Sequence, residues 1–229
     1  MTLNGNAFKA VLGAAALALA VPAAPAGAAT VSWTTWSSNT AGTISGGPSV
    51  TYSGELSGLS SNYPSWTPAS TWADGSIVNN APPQSGNMIR LLGGGGASAV
   101  LDTLTFSTPV TNPVMAIWSL GAPGAQAQFV FNNATPTLIK GGPSAEFAGT
   151  SISVSGNTVS GSEGNGTVEF LGTFTSISWR NPLAENYYGF TVGIGGGGSV
   201  SAVPEPGTWA LVAGGLGLLG FAVKRNRSA

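Results

Sequence analysis

Phe174-Thr175-Ser176-Ile177-Ser178-Trp179 is read as apolar and hydroxyl side chains changing faces at every step, the pattern of a strand with one buried and one wetted face. Ser151-Ile152-Ser153-Val154-Ser155 repeats it. Val114-Met115-Ala116-Ile117-Trp118 does not alternate, which predicts a central strand buried on both sides. Further β-rich runs stand at Val31–Trp36, Ser49–Ser53, Ala99–Phe106, Gln128–Phe131, Thr167–Leu171 and Tyr187–Ile194, separated by glycine, proline or asparagine turns. Between the two ends of the chain, no window of eleven residues holds helical periodicity. Turn signals recur at about 8 to 12 residues, which predicts an all-β fold for residues 29–194: an antiparallel β-sandwich of jelly-roll type.

Composition closes several function classes. The 229 residues include no cysteine and no histidine, which removes disulfides, thiolate chemistry, the usual zinc ligand and the Ser-His-Asp triad together. No cofactor or metal centre is expected. Between Thr30 and Ala202 the only basic side chains are Arg90, Lys140 and Arg180, so no stripe exists to neutralise phosphates and nucleic acid is excluded as a partner. Gly93-Gly94-Gly95-Gly96 lacks the Lys-Ser/Thr of a phosphate loop and reads as a turn.

Both ends of the chain read as addresses. Residues 1–28 have a short n-region with Lys9, an apolar stretch from Ala10 to Val21 and the small-residue site Ala26-Gly27-Ala28, the format of a secretory signal peptide cut by signal peptidase. Residues 195–202 form a Gly/Ser linker. Residues 203–229 then combine Pro204-Glu205-Pro206, an apolar run and the basic residues Lys224, Arg225 and Arg227. The prolines keep the first part extended and accessible. The apolar run, assigned as a transmembrane helix over residues 208–223, begins at Trp209 beyond one threonine, and its roughly 22 Å falls short of a hydrocarbon core of about 30 Å. It is a marginal anchor, with Trp209 at one interface and the basic end, residues 224–229, on the cytoplasmic side.

This tail resembles the PEP-CTERM sorting signal of Gram-negative bacteria, and Pro204 to Ala210 resembles its PEP-x-x-W-A variant. The resemblance covers the tail alone. It implies that the chain is a substrate of exosortase, a membrane-embedded transpeptidase-like enzyme found in species that usually make exopolysaccharide. The protein is then expected to cross the inner membrane, be held there before processing, and end at the cell surface or in the extracellular matrix.

Two places in the body are candidates for function. Residues 63–75 carry Tyr63, Trp66, Trp72 and Asp74 in a proline-punctuated stretch, and displayed rings beside a carboxylate suit the apolar faces and hydroxyls of a sugar. The competing reading has Trp66 and Trp72 capping the open end of the fold as core residues. The second place gathers Glu163, Asn165, Glu169 and Glu185 near strand ends, where two paired acids would suffice for a glycan hydrolase. A calcium site at Glu163 and Asn165 has too few ligands from one segment, and solvated turn carboxylates are the plain alternative. The favoured expectation is a non-catalytic surface or exopolysaccharide-matrix protein, structural or carbohydrate-binding, with Tyr63, Trp66, Trp72 and Asp74 as the candidate sugar contacts; a secreted glycan-active hydrolase using paired carboxylates is the alternative. Because Ala26 and Ala28 fit the small pockets of signal peptidase, Edman sequencing of the exported protein should begin at Ala29 or within a residue or two; a sequence beginning at Met1 refutes the cut.

Overall fold

A computed structural model describes residues 30–55 and 57–195; the expected signal peptide, the linker beyond Gly195 and the sorting tail lie outside the described residues. The strands are β1 Val31–Trp36, β2 Ala41–Ile44, β3 Ser49–Ser53, β4 Gly58–Ser60, β5 Met88–Leu91, β6 Leu101–Thr111, β7 Pro113–Leu120, β8 Ala127–Phe131, β9 Pro136–Gly141, β10 Thr150–Ser151, β11 Ser153–Ser155, β12 Thr158–Gly161, β13 Gly164–Phe170, β14 Thr173–Arg180 and β15 Tyr188–Gly195. Helix among the described residues is confined to three single 3-10 turns. None is long and apolar enough to cross a membrane.

The all-β antiparallel expectation holds, but the strands join one continuous sheet where a two-sheet sandwich was expected. Its order is β10-β13-β7-β15-β1-β2-β3-β6-β14-β8-β12-β11. Only β10 with β13 is parallel among the pairings described. The cause of the continuity is β1, whose first half pairs with β15 and whose second half pairs with β2, so one strand turns the corner between two faces. The two ends of the path, β10 and β11, are separated in sequence by Ile152 alone, which brings the two edges together. The result is a nearly closed, barrel-like shell.

Burial follows the sequence pattern in most places. Val114 to Trp118 lies within β7, which is buried at all eight positions. In β14 the core residues are Ile177 and Trp179, while Phe174 falls on the opposite parity. The regular alternation read along 174–179 is therefore corrected by a register shift between Phe174 and Ser176, which returns the Phe174 ring to the core margin. The interior is aromatic: Phe190 meets Trp179 at 5.1 Å between ring centroids, and Phe131 meets Phe170 at 4.9 Å. Such edge-to-face pairs add about 0.5–1.5 kcal/mol each beyond their buried area.

Close backbone approach requires glycine in β15. A Cβ at Gly193 would lie 2.5 Å from Val31 Cγ1 and 2.9 Å from Trp33 Cε3, atoms of the strand that closes the shell. Gly193→Ala should therefore lower the urea midpoint with an unchanged m-value, by a cost of about 1–3 kcal/mol; an unaltered midpoint would show that β1 and β15 are not in this register.

Candidate functional site

Residues 61–87, which connect the paired strands β4 and β5, form a strap over the outer face of β1 and β7. Apolar side chains are needed on both faces of those strands for this to happen, which is why β7 does not alternate. Trp66, Trp72 and Val78 of the strap pack on Val31, Trp33, Val114, Ala116 and Trp118 of the sheet. Polar ties fix the strap in place. Trp72 Nε1 donates to Ile117 O at 3.3 Å, and Thr167 Oγ1 donates to Trp72 O at 2.8 Å. Asn80 bridges both backbone groups of Val31, accepting its N–H at 2.7 Å and donating to its carbonyl at 3.0 Å.

The expected platform is thus only partly available. Trp66 is 1% exposed and Trp72 is fully buried, their rings meeting edge to face at 5.2 Å, so neither offers a face to a ligand. They are core residues, though they sit under the strap and not at the shell's open end. Asp74 is engaged in a turn, accepting the Ser76 hydroxyl and the amides of Ile77 and Val78 at 3.0 and 2.8 Å. Burial alone would raise its pKa, but these hydrogen bonds hold it below the usual carboxylate range. Tyr63 remains half-exposed.

Tyr63 belongs to a different aromatic group. The buried ring of Trp118 meets Tyr63 at 5.2 Å, Phe147 at 5.3 Å and Tyr187 at 5.5 Å. Phe147 is 51% exposed and Tyr187 half-exposed, so three rings reach the surface around one buried indole. Glu146 accepts Trp118 Nε1 at 3.2 Å and the Ser65 amide at 2.8 Å, locking the loop before β10 to the strap. Burial opposes its charge, yet the bonds from Ser65 and Trp118 hold its pKa down. Burial pushes the Tyr63 phenol up, helped by the charges of Glu146 and Glu163.

Beside these rings three non-glycine residues occupy the left-handed region: Ser119 at φ 56°, Ala148 at φ 55° and Glu163 at φ 62°. One buried asparagine ties them together. Asn165 accepts the Ser119 amide at 2.8 Å and donates to Ala148 O at 3.2 Å, while the Ser119 hydroxyl donates to the Glu163 carboxylate. Glu163 and Asn165 thus serve as loop ties. Glu185 feels the charge of Glu163, and burial pushes its pKa up; Glu169 instead neighbours Asp74 and is likewise raised by burial. Among the described residues no group of three or more Asp or Glu side chains is placed to hold a metal. Sequence reading missed Trp118, Phe147 and Glu146 as a group because they come from separate segments; Ala145-Glu146-Phe147 in a Gly/Pro-rich loop was the available signal.

Residues 202–227 match the family described as the PEP-CTERM protein-sorting motif. The tail is a PEP-CTERM sorting signal. It implies export, membrane-associated sorting and processing by exosortase. Pro204, Glu205, Pro206, Trp209, Lys224, Arg225 and Arg227 lie inside the match and outside the described residues. No curated protein and no solved structure matches the chain.

The domain ahead of the PEP-CTERM tail also holds a buried carboxylate in its interior. Asp102 Oδ1 accepts the Tyr52 hydroxyl at 2.6 Å and the Glu55 amide at 2.7 Å, while its Oδ2 is buried without a partner. Burial raises the Asp102 pKa to about 6, against the pull of the Tyr52 and Glu55 bonds. A folded pKa above the unfolded 3.8 means stability that is complete below pH 3.8 and lost as pH rises through 6. Asp102 should therefore make thermal midpoints fall toward pH 6.5, and Asp102→Asn should remove that part of the slope; Glu169 and Glu185 add to it in the same sense, while Asp74 and Glu146, held below their ordinary values, oppose it at the acid end. An Asp102→Asn protein that keeps the wild-type slope would remove Asp102 as its source.

Proposed function

We propose that this is an exported, non-catalytic protein of the cell surface or exopolysaccharide matrix that binds glycan through the Tyr63, Phe147 and Tyr187 face. The single observation that carries the export half is the PEP-CTERM motif at residues 202–227. On this reading residues 1–28 direct secretion, residues 208–223 hold the protein in the inner membrane, and exosortase processes the tail. The body, a single domain, is what arrives outside.

The binding half is supported by the geometry of the aromatic face. Half-exposed rings fixed by contacts to a buried indole lose little freedom on stacking against a sugar, and Glu146 and Asn186 stand at their margin as hydrogen-bonding groups. Trp66 and Trp72 act as the support beneath this face, and Asp74 fixes the strap's turn. The carboxylates nearest the rings are engaged with Ser65, Trp118 and Ser119, which favours a holding role over acid–base chemistry.

Two measurements test the two halves separately. In a host strain lacking exosortase the full-length tail should accumulate; identical C-termini with and without the enzyme refute the processing. With the host's purified exopolysaccharide, Phe147→Ala combined with Tyr187→Ala should weaken binding roughly ten- to thirtyfold at about 1 kcal/mol per ring, with little dependence on salt. A folded double variant that binds unchanged moves the site elsewhere.

A further inference from the structure

We infer that a second groove, at the pole opposite the aromatic face, binds a neutral saccharide segment, so that one molecule can bridge two glycan strands. The inference rests on the glycan-matrix reading above and adds a site to it. The groove holds about 460 Å³ and is bordered by Asn132, Asn133, Thr135 and Asn157, with Leu171 and Phe174 as its apolar wall. That volume is within the range of about 300–1,000 Å³ usual for small-ligand sites.

Its chemistry selects the ligand class. None of the side chains that line it is titratable, so it supplies no counter-charge for a phosphate, a uronate or an ammonium group. What it supplies is amides and hydroxyls facing an apolar surface. A sugar ring has the same two-sided character, with hydroxyls round its edge and C–H faces above and below.

The groove is also built in advance. Asn133 is fixed on both sides, donating to Ser176 O at 3.0 Å and accepting the Ser178 amide at 2.9 Å. Asn157 donates to Phe131 O at 2.6 Å. Each of these amides keeps one N–H uncommitted within the protein, a donor held in position at no further ordering cost. Leu171 is 63% exposed, the most exposed large apolar side chain among the described residues, yet it stands on a fixed hairpin: Asn112 and Gly172 exchange two hydrogen bonds of 2.8 Å. An exposed leucine on a rigid turn beside fixed amides is a surface prepared for contact.

Register places the two sites at opposite ends. Glu169 pairs with Val114 and Val114 with Gly193, which puts the turn at Leu171 at the end of the shell where β15 finishes. Trp118 pairs with Gly189 at the start of β15, which puts the aromatic face at the other end. Five residue steps from Gly189 to Ile194 separate them by about 17 Å along the strand. The two sites lie on different strands as well as at opposite ends, the aromatic face about β7 and the groove where β8 and β13 end and β14 begins, so each is open to a chain of its own.

The test uses the mature exported protein labelled with nitrogen-15 and the host's exopolysaccharide cut into oligosaccharides and divided into neutral and carboxylated fractions. The neutral fraction should shift the side-chain amide signals of Asn132, Asn133 and Asn157, and Leu171→Ala should weaken that response about tenfold while the signals around Phe147 still respond. Wild-type protein should then cross-link intact polysaccharide, and the Leu171→Ala protein should not. Shifts confined to the Phe147 and Tyr187 neighbourhood overturn the second groove and leave the glycan-binding reading standing. Shifts confined to the groove uphold it and overturn the aromatic face. A groove response to the carboxylated fraction alone overturns the neutral-ligand assignment, and silence to every fraction overturns both sites.

Discussion

The pairing of β15 with β1 is the constraint on which the rest of the shell depends. The last strand of the domain inserts between β7 and β1 and also accepts β5, so three other strands take their register from it. Its glycines at 189 and 193 are what allow this crowding: a Cβ at 189 would lie 2.6 Å from Met88 Sδ, as one at 193 would strike Val31. The gap left without β15 would expose the aromatic core, including Trp179, Tyr52 and Trp36, which pack directly on Phe190. Contacts of such sequence separation carry a large loop-closure cost before they return any stabilisation. The shell therefore completes only when the segment next to the tail joins it.

A chain with so few charges must hold its loops by other means. Here asparagine, serine and threonine do it: Asn80 clasps Val31, Asn165 gathers Ser119 and Ala148, and Thr167 holds the strap at Trp72. Each such bond contributes only about 0.5–1.5 kcal/mol net, but leaving its buried backbone partner unpaired would cost more. Glu146 and Asp74 work in the same way, accepting backbone amides and indole or hydroxyl groups instead of pairing with cations. The scarcity of charge and the abundance of small polar residues are two sides of one arrangement.

Much of the fold was legible because most strands carry their own pattern. Val31–Trp36 and Ser49–Ser53 coincide with β1 and β3, and the unbroken apolar run at 114–118 announced a strand covered on both sides. Strands β2, β4, β5, β9 and β12 escaped notice; among them β2 with Ala41-Gly42-Thr43-Ile44 and β5 with Met88-Ile89-Arg90-Leu91 are too short and too mixed to show a period. The barrel-like closure was not legible at all, since it rests on β1 changing partners halfway along its six residues. At the candidate site, the aromatic stretch 63–75 was found, but its pattern left Trp66 and Trp72 open to two roles, core cap or displayed ring. A local run of rings does not say which ring the sheet will cover; here the outer face of β7 took Trp66 and Trp72 and left Tyr63 at the margin.

The ends of the domain explain how sorting and fold coexist. Val31 and Gly195 are register partners, so the two ends of the shell are neighbours at one pole. Neither cut removes a residue that the shell uses, because the expected N-terminal site precedes Val31 and the Pro204-Glu205-Pro206 segment follows Gly195 by nine residue steps, at most about 32 Å of extended chain. The aromatic face is at the far end of β15 from Val31 and Gly195, the two ends of the described domain. The groove by Leu171 stands at the pole where Gly195 ends the described domain, so the two proposed glycan contacts lie at opposite ends of β15.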